Sequence, residues 1–598
     1  MLTTSSLHQP YSQEPLLPCN KVLEIQELQD FVRVRLPFRD LKTCTLVCRH
    51  WYRLFEPFLW TKVNLYEHDH GKMTILRRYG SFVSSLNHAH AHKSTFGFIR
   101  TYCSVVQSLS LVFDNRSSRI SYANLEEFFR NMSGITTLSI RFDASRFSPA
   151  MFWSFSQLPH LTRLTIDVYF ESRQNTIHYP PDTYMTILDC CPTLEDLTVF
   201  GLFLKPTEHH KNSLVQWAKY WLRHLRESPP SSSIEAMKPP IHTRSSSAGS
   251  TLSRLGRGLR AKNHRKSIVN SIAAPSFADY NIRKLDLRSR IMEDKVLCKL
   301  ISRCPLLEDL SMDGLWVRIS SGTWETLSNQ CPRFRSLTIR DSGVVHYLPS
   351  IPTLMTLFPR LESVSLITLE FKRDPDLSTL ATKIQEIEQQ CGVRHPLKHI
   401  HISGSILKPL KVMLDVVTQC STVESLSVGF TLNALRVLEN EAVVPFDINK
   451  QWMCHDSLLH LDLTSISFKS KNVFKKFIAH VQRLTRLKSL WISVSHMREA
   501  WSIKVIQNKR QPLGGATGSQ VADDSSSPTS FFCFPTVEIL HIGTAYRNEK
   551  LSEMPIVYDE VVYMIGTAPS LKRLELEHLS ESGIVKRLSL EYPMIEFL

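Results

Sequence analysis

Apolar and polar residues recur along most of this chain in one short unit, L-x-x-L-x-L. It occupies residues 106–111, 135–140, 161–166 and 194–199, then 282–287, 307–312, 334–339 and 361–366. Further copies start at Leu397, Val423, Leu458, Leu487, Val537 and Leu571, and a fragment covers residues 592–598. The copies at 307, 334 and 361 follow at intervals of 27 residues. Strict alternation at the end of each unit predicts a short strand with one buried face. Leu310 and Met312 then point inward while Asp309, Ser311 and Asp313 point outward. Between units the period changes: Val296, Leu297, Leu300, Ile301 and Cys304 fall on one stripe before Pro305, which predicts a helix. A longer stripe near the amino end, Val22, Ile25, Leu28, Val32 and Leu36, predicts a helix ended by Pro37. Asp40 is placed to cap a second helix carrying Leu41, Cys44, Val47, Cys48 and Trp51.

One strand and one helix in roughly 24 to 36 residues make up a leucine-rich repeat. No such unit buries its own apolar face, so neighbours must stack into a continuous core. The expected fold class is α/β: a small α-helical segment, then a solenoid with a curved parallel sheet lined by helices. The unit Cys-Pro-x-Leu-Glu-x-Leu at residues 191–197 and 304–310, with a looser copy at Cys331-Pro332, resembles the cysteine-containing subclass of these repeats. Its cysteines read as small buried hydrophobes at helix ends. The boundaries read as a polar tail over 1–20, the helical segment over 21–66, and repeats over 95–205, 278–507 and 531–598. Between them, 206–277 and 508–530 are rich in Ser, Pro and Gly and cannot bury a core, so disorder is expected there and in the tail.

The helical segment carries a set of residues at fixed offsets. Glu27 is followed nine residues on by Leu36, then Asp40-Leu41, Val47-Cys48-Arg49-His50-Trp51, and Pro57-Phe58-Leu59-Trp60. This resembles an F-box over about 45 residues. The proline usual just before the Glu is absent, with Ile25-Gln26 in its place. The resemblance implies a non-catalytic substrate receptor of an SCF-type ubiquitin ligase, binding a Skp-family adaptor and, through it, cullin and RING subunits. The implied adaptor-binding residues are Glu27, Leu28, Val32, Leu36, Asp40, Leu41, Val47, Cys48, Trp51, Pro57, Leu59 and Trp60. An apolar helix face laid into a partner groove is a known docking mode. The plainer reading is a helical cap on the solenoid, with Trp51 and Trp60 as anchors.

By analogy, the strand face would hold the protein to be ubiquitinated. Its outward residues include Lys284, Asp286, Arg288, Asp309, Ser311, Asp313, Ser336, Thr338 and Arg340. Two other readings stand beside this one: a repeat scaffold acting outside a ligase, and a nucleic-acid or chromatin binder using a basic insertion.

Composition narrows the choice. The net charge of +15 is concentrated: residues 229–276 hold eight basic residues and one acid, a net of +7. The remainder is only mildly basic, and no aromatic residue interleaves the basic run, which argues against nucleic-acid binding. Thirteen cysteines in 598 residues do not form a disulfide framework, and no uncharged apolar run reaches spanning length. These features point to the cytosol or nucleus and to no membrane. No phosphate-binding loop, nucleophile elbow or zinc-protease motif is present, and neither cofactor nor metal is expected. His88, His90 and His92 have no acid or cysteine close by to complete a metal site.

Overall fold

The computed structural model describes residues 35–65, 70–113, 120–143, 149–169, 178–180, 182–204, 279–288, 292–313, 319–340, 348–369, 377, 379–392, 394–404, 409–430, 450–464, 466, 471–493, 533–543, 558–576 and 582–598. Residues 1–204 and 280–598 form one unit; of the second, 205–279, only Asp279 is described. The expected tail over 1–20 and the interior of both expected insertions lie outside the described residues.

Among the described residues, the helices α1 (Phe38–Cys44) and α2 (Arg49–Leu59) precede a parallel sheet of seventeen strands. Its first six are β1 (Lys62–Asn64), β2 (Ser85–His90), β3 (Ser108–Phe113), β4 (Thr137–Asp143), β5 (Arg163–Tyr169) and β6 (Asp196–Phe200). The next six are β7 (Lys284–Arg288), β8 (Asp309–Asp313), β9 (Ser336–Arg340), β10 (Ser363–Leu369), β11 (His399–Gly404) and β12 (Ser425–Phe430). The last are β13 (His460–Asp462), β14 (Ser489–Ser493), β15 (Ile539–Gly543), β16 (Arg573–Leu576) and β17 (Glu596–Phe597). Each strand pairs in parallel with the next along the chain, so the sheet is open, not closed into a barrel. This is the leucine-rich-repeat solenoid that the alternation predicts.

Register explains the repeat. Leu197, Leu285, Leu310, Leu337 and Val364 stand opposite one another in successive strands, as do Val199, Leu287, Met312, Ile339 and Leu366. All ten are at most 2% exposed, in one core running from Val63 to Leu588. Burying each such side chain contributes about 1.5–3 kcal/mol. The intervening helices supply the other wall, with Leu297, Leu300, Ile301 and Cys304 fully buried. Backbone bonds tie neighbours at the strand starts: the Glu308 carbonyl accepts from Arg335 N (2.8 Å) and Ser336 N (3.0 Å), and the Arg335 carbonyl from Glu362 N and Ser363 N.

The buried cysteines, such as Cys304, Cys331 and Cys454, sit where the repeat needs small hydrophobes. Cys331 Sγ donates to the Cys304 carbonyl one repeat upstream, at 3.3 Å. Burial pushes the thiols of Cys103 and Cys190 up to about 11 and those of Cys331 and Cys454 to about 12, which keeps them protonated and unreactive.

The sheet starts earlier than residue 95. β1 and β2 pair in register, Val63 with Leu86, and Asn87 Nδ2 donates to Asn64 Oδ1 at 3.0 Å. The unit of β1 starts at Trp60, with Val63 and Leu65 buried after it. In β2 the register shifts between Leu86 and Ala89, and His88 takes a φ of 56°, so an extra residue breaks the alternation.

The sheet also steps across the long interruption without losing register. β6 pairs directly with β7, Asp196 opposite Lys284 through Phe200 opposite Arg288. Tyr280 clamps the re-entry: its hydroxyl donates to Asp189 Oδ1 (2.6 Å), and Arg303 lies 4.0 Å from its ring centroid. Gly201 makes the exit turn at φ +73°, where a Cβ would lie 1.9 Å from the Val168 carbonyl oxygen.

Candidate functional site

The expected single helix over 41–51 is two helices in the structure, and Asp40 caps neither. α1 begins after Pro37, placing Asp40 within its first turn, without a side-chain cap bond. The break has a local cause. Cys48 is extended (φ −161°), and its Sγ accepts from Trp51 N at 3.5 Å, which starts α2. The turn between them leaves Leu46 and Val47 79% and 59% exposed. Tyr52, 43% exposed, follows on α2, where its hydroxyl donates to Glu56.

The inward side forms a separate small core of Leu41, Phe55 and Phe58, with Leu36, Cys44, Trp51, Leu54 and Leu59 packed against it. Trp51 stands 5.5 Å from Phe55, ring centroid to centroid. Trp60 instead stacks on Tyr79 at 5.9 Å and packs against the solenoid core. Burial, more than its neighbouring carboxylate, pushes the Tyr79 hydroxyl up to about 12. Asp40 and Cys48 are exposed and Pro57 is partly buried within α2. Glu27, Leu28 and Val32 lie outside the described residues.

Of the stripe expected to dock, Leu41 therefore faces its own core and Val47 faces solvent. Leu46 and Tyr52 are the exposed apolar positions that the sequence reading did not include.

The second candidate surface is the open face of the sheet, away from the helices. Lys284, Asp309 and Ser336 stand side by side in register, as do Asp286, Ser311 and Thr338, and Asp313 stands opposite Arg340. Two of these charges pair directly with each other. Asp286, only 6% exposed, accepts from Arg288 Nε (3.2 Å) and a terminal guanidinium nitrogen (3.0 Å). Arg288 also lies 4.3 Å from the Phe200 ring centroid. Lys284 approaches Asp196 at 3.9 Å. Burial raises the carboxyls of Asp196 and Asp309, and Lys284 opposes that rise.

One repeated position decides what this face presents: the residue between the two buried apolar ones. From β3 to β10 it holds Ser110, Ser139, Thr165, Thr198, Asp286, Ser311, Thr338 and Ser365. From β11 to β16 it holds His401, Ser427, Asp462, Trp491, His541 and Glu575. No residue of this second group was among the sequence candidates.

A family model described as F-box-like matches residues 31–66. That segment is F-box-like. From residue 62 onward, the described residues of the larger unit form the leucine-rich-repeat solenoid described above. Among solved structures, the leucine-rich-repeat protein LIC12759 of Leptospira interrogans is 11% identical over 81% of this chain and 96% of its own, at a TM-score of 0.33. The yeast Rad7 and Elc1 complex gives 9% identity over 100% of this chain and 98% of its own, at a TM-score of 0.32. No curated protein matches the chain. Among the described residues, no group of His, Cys, Asp and Glu is arranged to hold a metal, and no helix is long and apolar enough to cross a membrane.

Proposed function

We propose that this protein is the substrate-recognition subunit of an SCF-type ubiquitin ligase, working in the cytosol or nucleus. Its F-box-like segment docks on a Skp-family adaptor, which brings in the cullin and RING subunits. The open face of the solenoid holds the protein to be modified. The chain supplies no chemistry of its own; it raises the effective concentration of substrate lysines near a ubiquitin-loaded enzyme.

The observation that carries this reading is the Leu46–Val47 turn inside the matched segment, apolar and solvent-facing beside a small core that is already closed. Covering two such side chains with a partner contributes about 2–4 kcal/mol. A bare cap on the solenoid gains nothing from holding them in water.

The test is capture of the purified full-length chain by a Skp-family adaptor. Leu46→Asp combined with Val47→Asp should weaken capture at least about a hundredfold while leaving the solenoid melting temperature unchanged, because both positions are exposed. An adaptor that ignores the parent chain, or binds parent and variant alike, overturns the proposal.

A further inference from the structure

The second stretch of the open face is built around one indole. Trp491 is 41% exposed, yet it is held from two sides. Its Nε1 donates to Ser489 Oγ at 3.2 Å, and one ring face stacks on His541, with centroids 4.4 Å apart and planes 27° apart. His541 is fixed in turn, with Nδ1 3.0 Å from Glu575 Oε2, and Glu575 forms an ion pair with Arg573, Oε1 lying 2.8 Å from Nε. The stacking runs across the strands, from β14 to β15. The uncovered face of the indole therefore looks the other way, toward β13, where Asp462 stands opposite Trp491 in register.

Asp462 is equally prepared. It accepts from Ser427 Oγ (2.8 Å), Thr464 N (2.9 Å) and Thr464 Oγ1 (2.7 Å). These are neutral donors, and among the described residues no lysine or arginine forms an ion pair with it. The neighbouring cations are engaged elsewhere or set back at the strand starts. Lys398 pairs with Glu424, Lys572 with Glu538 and Arg573 with Glu575, while Lys488 sits just before β14. The middle positions from β11 to β16 thus carry two carboxylates and no lysine or arginine.

We propose that the slot between Asp462 and the uncovered face of Trp491 receives a lysine or arginine side chain from an extended segment of a partner protein. A cation over an indole face gains from the ring's negative electrostatic face, and a charge-assisted bond to Asp462 completes its coordination. Both groups are held in place before the ligand arrives, so little ordering cost falls on the protein. The inference rests on the reading that the open face holds the protein partner, and it names the chemistry of the anchoring residue.

The experiment selects a phage-displayed library of random short peptides on the full-length chain. Synthetic versions of the winners are then measured with each Lys or Arg replaced by norleucine or citrulline. Winners should depend on a basic residue whose neutral replacement weakens binding about tenfold. Asp462→Asn and Trp491→Ala should each cause a similar loss, with little further loss when either is combined with the neutral peptide. Selection of nothing, winners that need no basic residue, or variants that bind within about twofold of the parent overturn the inference. Adaptor capture by the same two variants separates the cases: retained capture without basic-dependent peptides sinks this inference alone, whereas a parent chain that captures no adaptor sinks the ligase reading.

Discussion

The stretch of open face from β3 to β10 and the stretch from β11 to β16 share one backbone and one register, yet they present different chemistry. The first repeats small hydroxyls around a single buried carboxylate, Asp286, which Arg288 already satisfies. The second displays imidazoles, an indole and carboxylates partly open to solvent. Stacking requires the two apolar residues of each strand to match their neighbours; it requires nothing of the residue between them. Where that residue is bulky, titratable and held by its neighbours, packing gives no reason for it. Packing therefore accounts for the middle positions of the first stretch more fully than for those of the second.

If stacking is common to both stretches, a core deletion should cost the same in each. Leu285→Ala in β7 and Leu490→Ala in β14 remove fully buried side chains and should each destabilise by about 2–5 kcal/mol, read by urea unfolding. A much smaller cost at Leu490 would mean that the second stretch is not part of the same cooperative core.

The boundary between the stretches carries its own titration. His395, 1% exposed just before β11, accepts from Leu397 N at 3.0 Å, and burial lowers its pKa to about 4 against the nearby Glu388, which acts to raise it. The folded pKa lies below the ordinary value of 6.5, so the unfolded chain binds a proton first as pH falls. Stability is therefore full above pH 6.5 and falls between there and about pH 4, by up to about 1.4 kcal/mol per unit. His395→Gln should flatten that part of the pH–stability profile; an unchanged slope would show that His395 titrates normally.

The smallest effect concerns the first stretch. Asp286→Asn leaves Arg288 facing a neutral amide in a largely buried position and should cost about 1–3 kcal/mol in thermal unfolding. Peptide binding at Trp491 should be unaffected. A loss of partner binding equal to that of Asp462→Asn would erase the distinction drawn between the two stretches.

Much of the fold was legible because its signal is geometric. Alternation fixed the inward residues of β8, and the stripe of Leu297, Leu300, Ile301 and Cys304 identified the helix before it. β1 was hidden because Trp60, the first apolar residue of its unit, was read with the helical segment, and β2 because it contains an extra residue at His88, which destroys a period of two. The break after α1 was hidden because the spacing of Leu41, Cys44, Val47, Cys48 and Trp51 suits one continuous helix. Only the extended backbone at Cys48 interrupts it. The candidate site was less legible. Lys284 to Arg340 drew attention because the repeat is most regular there, and regularity marks packing. Trp491 and Asp462 sit in less regular copies, and their relation to His541 and Ser427 exists only once the strands are aligned.

The direct joining of β6 to β7 bears on how this molecule can be altered. Closing a chain loop costs only about 0.6 kcal/mol more for each doubling of its length. With Tyr280 and Gly201 both held by the sheet's own packing, the length of a flexible linker inserted at this junction would carry little thermodynamic penalty. A flexible insert joined there would leave the rungs on either side in step, because β6 and β7 pair with each other directly.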